Sequence, residues 1–183
     1  VAIAPRDDLF VAIAQEGTPG QFADPRHPEL PGRTISTHKP DETCEGFAEA
    51  RMALGVPEQG ADYASAEVFP ADINMDHLSG VDLKKGCFVG QEVVSRMHRR
   101  GNIRRRTIAL TGTGLTPGDT LMATSPLGEV TSVRGAQALA RVRIDRFARA
   151  EADGEAIHVN DNPVKIVKQD WLVGEMAASL NHD

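Results

Sequence analysis

The chain has 183 residues, a formal net charge of −6 and a sequence pI near 5.5. That length suits one large domain or two small ones. The acidic balance argues against general coating of nucleic acid, though not against a local basic patch, and with only 4% aromatics the core must be built from Val, Ile, Leu, Ala and Met.

Asp8 to Gln15 reads as a buried strand, broken by Gly17, Pro19 and Gly20. Phe22 to Ile35 is loop-rich, with Pro25, Pro28, Pro31 and Gly32. Pro40 to Leu54 predicts a helix, with Asp41, Glu42 and Glu45 favouring its N-terminus and Phe47, Ala50 and Leu54 on one face. Gly55-Val56-Pro57 stops it. Gln59 to Ala66 reads as a polar loop, and a short helix follows Gly90 from Gln91 to about His98, burying Val93, Val94 and Met97. From Ile103 the texture changes to short strand-like runs, at Arg106–Leu110, Thr120–Ala123, Glu129–Val133, Ala138–Ile144, Ala156–Val159 and Val164–Val167. Pro117-Gly118, Pro126-Leu127-Gly128 and Asn160-Asp161-Asn162-Pro163 punctuate them, the pattern of a small antiparallel barrel or sandwich. The expected fold class is α+β, with residues 1–102 forming an α/β portion and residues 103–183 a C-terminal β-barrel.

The two cysteines, Cys44 and Cys87, are too far apart for a CxxC motif and too few for a zinc ribbon. Both read as thiols in a reducing compartment. No apolar run reaches membrane-spanning length and no signal-peptide pattern is present, so no membrane partner is expected. The chain opens on Val1 rather than Met, as a fragment or a processed product would.

Lys85-Gly86-Cys87-Phe88-Val89-Gly90-Gln91-Glu92 carries the most chemistry. Gly86 and Gly90 permit tight turns and close backbone approach. The helix after Gly90 leaves free N–H groups near the turn. Positive potential from that end, from Lys84 and from Lys85 lowers the Cys87 thiol pKa. Gln91 offers amide donors and an acceptor, and Glu92 a carboxylate. Against this stands the common case of a buried, inert cysteine; on the residues alone the two readings balance. Cys44 is explained by packing or partial exposure on a helix.

This eight-residue run resembles the Lys-Gly-Cys-Tyr/Phe-x-Gly-Gln-Glu motif of the YgfZ family. The likeness extends to Phe69-Pro70-Ala71-Asp72-Ile73-Asn74-Met75-Asp76, to Leu78–Lys84, to Val93-Val94-Ser95-Arg96, to His98-Arg99-Arg100-Gly101 and to Ala53-Leu54-Gly55-Val56-Pro57. The family includes a tRNA-modifying bacterial protein and mitochondrial iron–sulfur assembly factors, and is related to the aminomethyltransferase of the glycine cleavage system. The resemblance implies a partial GcvT-like split α/β (ferredoxin-like) portion followed by an antiparallel β-barrel. It implies tetrahydrofolate, or a one-carbon derivative, as cofactor and support of iron–sulfur enzymes, including those that modify tRNA. It also implies a cytoplasmic location, or the mitochondrial matrix in a eukaryote. The family's N-terminal Thr-Asn-Asp segment, which helps build its folate pocket, has no counterpart in this sequence.

On that reading Cys87 is the essential thiol, as nucleophile, redox group or transient cluster ligand, and Lys85 tunes it. Phe47, Asn74, Gly86, Gly90, Gln91, Glu92 and Arg96 are the candidate cofactor contacts. For Phe47 the alternative is a core anchor, and for Asn74 a satisfied turn. Asp72 and Asp76 are further possible acceptors, or surface charges. Arg96, Arg99, Arg100, Arg104, Arg105 and Arg106, with His98, form a basic run that could hold a folate glutamate tail or tRNA phosphates. Its alternative is a solvated connection with internal ion pairs. Arg51 could also serve an anion, but reads first as a helix-surface residue. The histidines show no ligand spacing, so no metal site is expected. An aminomethyltransferase-like one-carbon transferase and an RNA-binding module remain as other functions. Whether a reaction is catalysed at all stays open.

Overall fold

The computed structural model describes residues 6–14, 17–39, 45–86, 90–99 and 103–181. Two strands, β1 (Phe10–Ile13) and β2 (Arg33–Ser36), pair antiparallel with Val11 opposite Ile35. The buried strand expected at Asp8–Gln15 is thus shorter and half-exposed. Val11 and Ile35 are each 60% exposed, because the described residues pack nothing over that face of the ribbon. β2 also falls partly in a stretch read as loop. Its prolines precede the strand, and pairing with β1 supplies the ladder that local propensity does not.

Helix α1 (Glu45–Ala53) follows, and Gly55 stops it at a positive φ of 67°. Phe47, Ala50 and Leu54 pack together as expected, against Leu30, Val56 and Leu78. A 3-10 turn at Pro70–Ile73 and helix α2 (Gln91–Arg99) complete the N-terminal portion.

The remaining strands are β3 (Arg105–Thr111), β4 (Thr120–Met122), β5 (Pro126–Arg134), β6 (Gln137–Arg143), β7 (His158–Val159), β8 (Asn162–Pro163) and β9 (Lys165–Val167). They form one antiparallel sheet in the order β8-β7-β4-β5-β6-β3-β9. β8 and β9 lie at opposite edges of that order, yet only Val164 separates them in the chain. A link of one residue joins two edges only if the sheet curls round on itself, so the sheet is a nearly closed barrel. The fold is α+β with a C-terminal antiparallel β-barrel. Inward residues Ile108, Leu110, Leu121, Val130, Ala140 and Val142 fill it.

Two helices escape the strand-based reading. Helix α3 (Ile144–Ala152) buries Ile144, Phe147, Ala148 and Ala150, a helical spacing that closes one side of the core. Helix α4 (Asp170–Leu180) buries Leu172 in the same cluster. Pro126-Leu127-Gly128, read as a turn, starts β5 instead. A Cβ at Gly128 would meet the Arg141 carbonyl oxygen at 2.2 Å, so the close approach of β6 demands glycine there.

Candidate functional site

Asp82 prepares the approach to the cysteine motif. Its Oδ1 accepts the backbone N–H groups of Lys84 (2.8 Å) and Lys85 (3.2 Å), a local turn that presents both lysines to solvent. Lys85 and Gly86 are exposed. Cys87, Phe88 and Val89 lie outside the described residues. Gly90 resumes the chain with a φ of +85° and leads directly into α2. The helix expected from Gln91 is present and runs to Arg99. Glu92 in its first turn and Arg96 one turn later are exposed, and neither makes an ion pair among the described residues. The side chain of Gln91 lies outside the described residues. Val94 and Met97, on α2, line a small cleft together with Pro70, Val81, Leu83 and Ile103. Thus Lys85, Gly86, Gly90, Glu92 and Arg96 share one exposed turn-and-helix segment.

Asn74 and Phe47 are used differently. Asn74 is buried, with a left-handed backbone (φ 59°). Its Nδ2 donates to the Thr107 carbonyl at 2.7 Å, and its Oδ1 accepts the Thr107 N–H at 3.3 Å. β9 pairs with β3 only from Ala109 onward. The Asn74 amide therefore takes the place of a strand along the uncovered start of β3. The Thr107 hydroxyl adds a bond to the Asp72 carbonyl at 2.8 Å. The Phe47 ring carries the guanidinium groups of Arg26 and Arg33, each 5.6 Å from its centroid. Both arginines are gripped by buried Asp24, through Arg26 Nη2 at 2.7 Å and Arg33 Nε at 2.9 Å. Burial pushes the Asp24 carboxyl up. The side-chain and backbone hydrogen bonds of Arg26, with the charges of Arg26 and Arg33, outweigh it and bring the pKa down to about 2.

Arg106 is the main correction to the basic run. It is fully buried and not part of any solvated patch. Its Nη1 and Nη2 bond both Asp76 oxygens at 2.7 and 2.8 Å, its Nε bonds Glu175 at 2.7 Å, and its Nη1 also reaches the Ala71 carbonyl at 2.7 Å. A second bond joins Nη2 to Glu175. Burial raises the Asp76 and Glu175 carboxyls; Arg106 and then His77 outweigh it at Asp76, and the hydrogen bonds of His77 and then Arg106 outweigh it at Glu175, so both net shifts are downward. His77 completes the cluster, 2.9 Å from Glu175 and stacked on Trp171 at 4.6 Å. Asp76, His77 and Glu175 bring ligand-type atoms within 4.8 Å of one another. The Arg106 guanidinium already sits on both carboxylates and supplies their countercharge, so we assign this cluster to the fold. Asp76 and Asp72 are likewise engaged, Asp72 accepting the Phe69 N–H at 3.2 Å. Arg51 is no surface residue either. It is buried and paired with Asp62 at 2.6 Å and Glu58 at 3.2 Å.

Sequence reading missed the Asp24–Arg26–Arg33 grip and the Arg106 latch. The first left a trace in Asp24-Pro25-Arg26, a short loop with opposite charges two apart. The second joins residues some thirty and seventy positions apart, at separations no local pattern reveals.

Residues 104–173 match the family model of the CAF17 C-terminal beta-barrel domain. The chain is 33% identical over 113 residues to a protein of Neurospora crassa named "Iron-sulfur cluster assembly factor IBA57 homolog, mitochondrial". That alignment covers 57% of this chain and 26% of the relative. A Dictyostelium discoideum protein of the same name is 31% identical over 115 residues, covering 55% of this chain and 28% of the relative. A third, from Mycosarcoma maydis, is 42% identical over 60 residues, covering 33% and 15%. The chain thus spans about a quarter of the length of the first two relatives. These matches support the family likeness carried by the cysteine motif. No helix among the described residues is long and apolar enough to cross a membrane.

For tetrahydrofolate, the cleft beside the motif's helix is too small for a pterin. The cleft beside α2, lined by Pro70, Val81, Val94 and Met97 among others, has a volume of about 10 Å³. That is room for a single water. Phe47 and Asn74, the two contacts expected away from the motif, are already engaged.

Proposed function

We propose that this chain acts in iron–sulfur cluster assembly, as an accessory factor whose functional centre is Cys87. The observation that carries this reading is the likeness to assembly factors of the same name in three organisms, joined to the exposed setting of the residues flanking Cys87. The cluster, or an iron–sulfur protein carrying it, is the cargo. Cys87 serves as a transient ligand or nucleophile, and Lys84 and Lys85 with the N-terminal end of α2 favour its thiolate. Folate binding and service to tRNA-modifying enzymes are further parts of the proposal and rest on the motif likeness alone. The location proposed follows the relatives, the mitochondrial matrix in a eukaryote and the cytoplasm otherwise.

The test is complementation. Cys87→Ser is expected to fold with an unchanged urea midpoint and to fail in restoring iron–sulfur enzyme activity to cells lacking the native protein. Full rescue would sink the reading. Titration with tetrahydrofolate, followed by calorimetry and by the fluorescence of the lone Trp171, tests the folate part separately. Absence of binding there removes the folate claim and leaves the cysteine claim standing.

A further inference from the structure

We propose that the outer face of α3, with the adjoining ends of β3 and β6, is a docking site for an acidic polypeptide segment. Arg143, Arg146 and Arg149 recur every third residue through the cap and body of α3, on the side away from buried Ile144, Phe147 and Ala148. That spacing stacks Arg146 and Arg149 on one helix face, with Arg143 preceding them at the extended N-cap. Arg105 extends the series onto the barrel, because the β3–β6 register places it directly opposite Arg143. Like charges in that position disfavour the sheet unless something anionic lies between them. Asp145 answers Arg143, accepting its Nε at 3.1 Å. Arg105 has no acidic partner among the described residues. Arg146 donates Nη1 only to the Pro126 carbonyl, at 3.1 Å, and makes no ion pair among the described residues.

Beside these arginines runs a groove of about 470 Å³ lined by Ser125, Pro126, Asp145, Arg146, Arg149 and Glu155. The groove itself balances Arg146 and Arg149 against Asp145 and Glu155; Arg105 and Arg143, outside its lining, give these residues a positive excess in a chain of net charge −6, so charge complementarity favours an anionic occupant. Two features favour acidic polypeptide over nucleic acid. No aromatic side chain lines the groove, so bases have no stacking platform. Asp145 and Glu155 stand inside it, repelling a continuous phosphate backbone while leaving isolated carboxylates free to pair with the arginine forks. The proposal is independent of Cys87 and its chemistry.

The test uses the full chain, a fluorescein-labelled peptide of alternating Glu and Ser, and an oligouridylate RNA, read by fluorescence anisotropy at low and moderate salt. The peptide is expected to bind, and Arg105→Glu and Arg146→Glu are each expected to weaken it about tenfold. Lys165→Glu is the control for net charge. Lys165 pairs with Thr111 at the far end of β3 from Arg105, and its reversal is expected to change affinity less than about twofold. Circular dichroism and urea midpoints establish that each variant is folded; should either reversal unfold the chain, Arg105→Gln and Arg146→Gln replace it, with a smaller loss expected. Three results overturn the proposal: no peptide binding by the unaltered chain, equal loss in Lys165→Glu, or tighter binding of the RNA through the same arginines.

Discussion

The barrel and the motif-bearing N-terminal portion are held together by different physics. The barrel has one continuous apolar cluster, from Ile108 through Phe147 to Leu172. Among its described residues the N-terminal portion has the small cluster of Leu30, Val56 and Leu78, and it holds the buried polar residues Asp24, Arg51, Asp62, Asp72 and Asn74. Its ties to the barrel are largely polar as well. Asn74 bonds Thr107, Asp76 bonds Arg106, Asp62 bonds Ser132, Glu67 bonds Arg141, and the Leu54 carbonyl accepts from Gln169. Met52, packed with Ala109 and Leu139, is the main apolar exception. Stabilised this way, the described N-terminal residues lean on the barrel. The cysteine motif is therefore carried by the less autonomous half.

That asymmetry can be broken by mutation. Phe147→Ala removes a fully buried ring from the barrel and is expected to cost about 3–5 kcal/mol, read by urea unfolding. Both halves should unfold together in that variant. Arg106→Met should cost about 3 kcal/mol, because it strands Asp76 and Glu175 without their countercharge. Its damage should be local. Hydrogen exchange should accelerate at His77 and Leu78, whose N–H groups bond the Asn74 carbonyl, while Val130 in the barrel stays protected. Equal acceleration at both places would show that the two halves form one cooperative unit.

Acid provides a milder test of the same contrast. The Asp24 carboxyl is depressed from an ordinary value near 3.8 to about 2 in the folded chain. Its stabilising contribution is therefore complete above about pH 4 and is lost as pH falls through about 2, a change of about 2 kcal/mol. Asp24→Asn should flatten that part of the acid profile, measured as the urea midpoint between pH 5 and pH 2. An unaltered profile would mean that Asp24 does not hold Arg26 and Arg33 in solution.

How much of this was legible beforehand divides along the same line. The barrel strands showed in sequence because short β-branched runs alternate with Pro, Gly and Asn turns. The helices α1 and α2 showed through apolar spacing and flanking glycine. Helix α3 was hidden because Ala138–Ile144 runs straight into it with no turn residue between, so a strand pattern masked Ile144, Phe147 and Ala148. In the site, the adjacency of Lys85, Gly86, Gly90, Glu92 and Arg96 was legible because they are neighbours in the chain. The employment of Asn74, Arg106 and Phe47 was not, since each is decided by a partner distant in sequence.

The smallest effect separates the two glycines that bracket Cys87. Both looked equally necessary as turn formers. Gly90 has a φ of +85°, with nothing within 4 Å of a Cβ built on it, so an alanine there suffers only backbone strain. Gly86 is exposed, shows no positive φ, and also has open space around the Cβ position. Gly90→Ala should cost about 1 kcal/mol in urea unfolding and fray the entry to α2. Gly86→Ala should stay within about 0.5 kcal/mol of the unaltered chain. Fraying at α2 also withdraws the aligned N–H groups that the proposed function enlists to favour a Cys87 thiolate. Alkylation of Cys87 at neutral pH should therefore slow in Gly90→Ala and hold its rate in Gly86→Ala. The reverse ordering would place the thiol's activation on the lysine side of the motif.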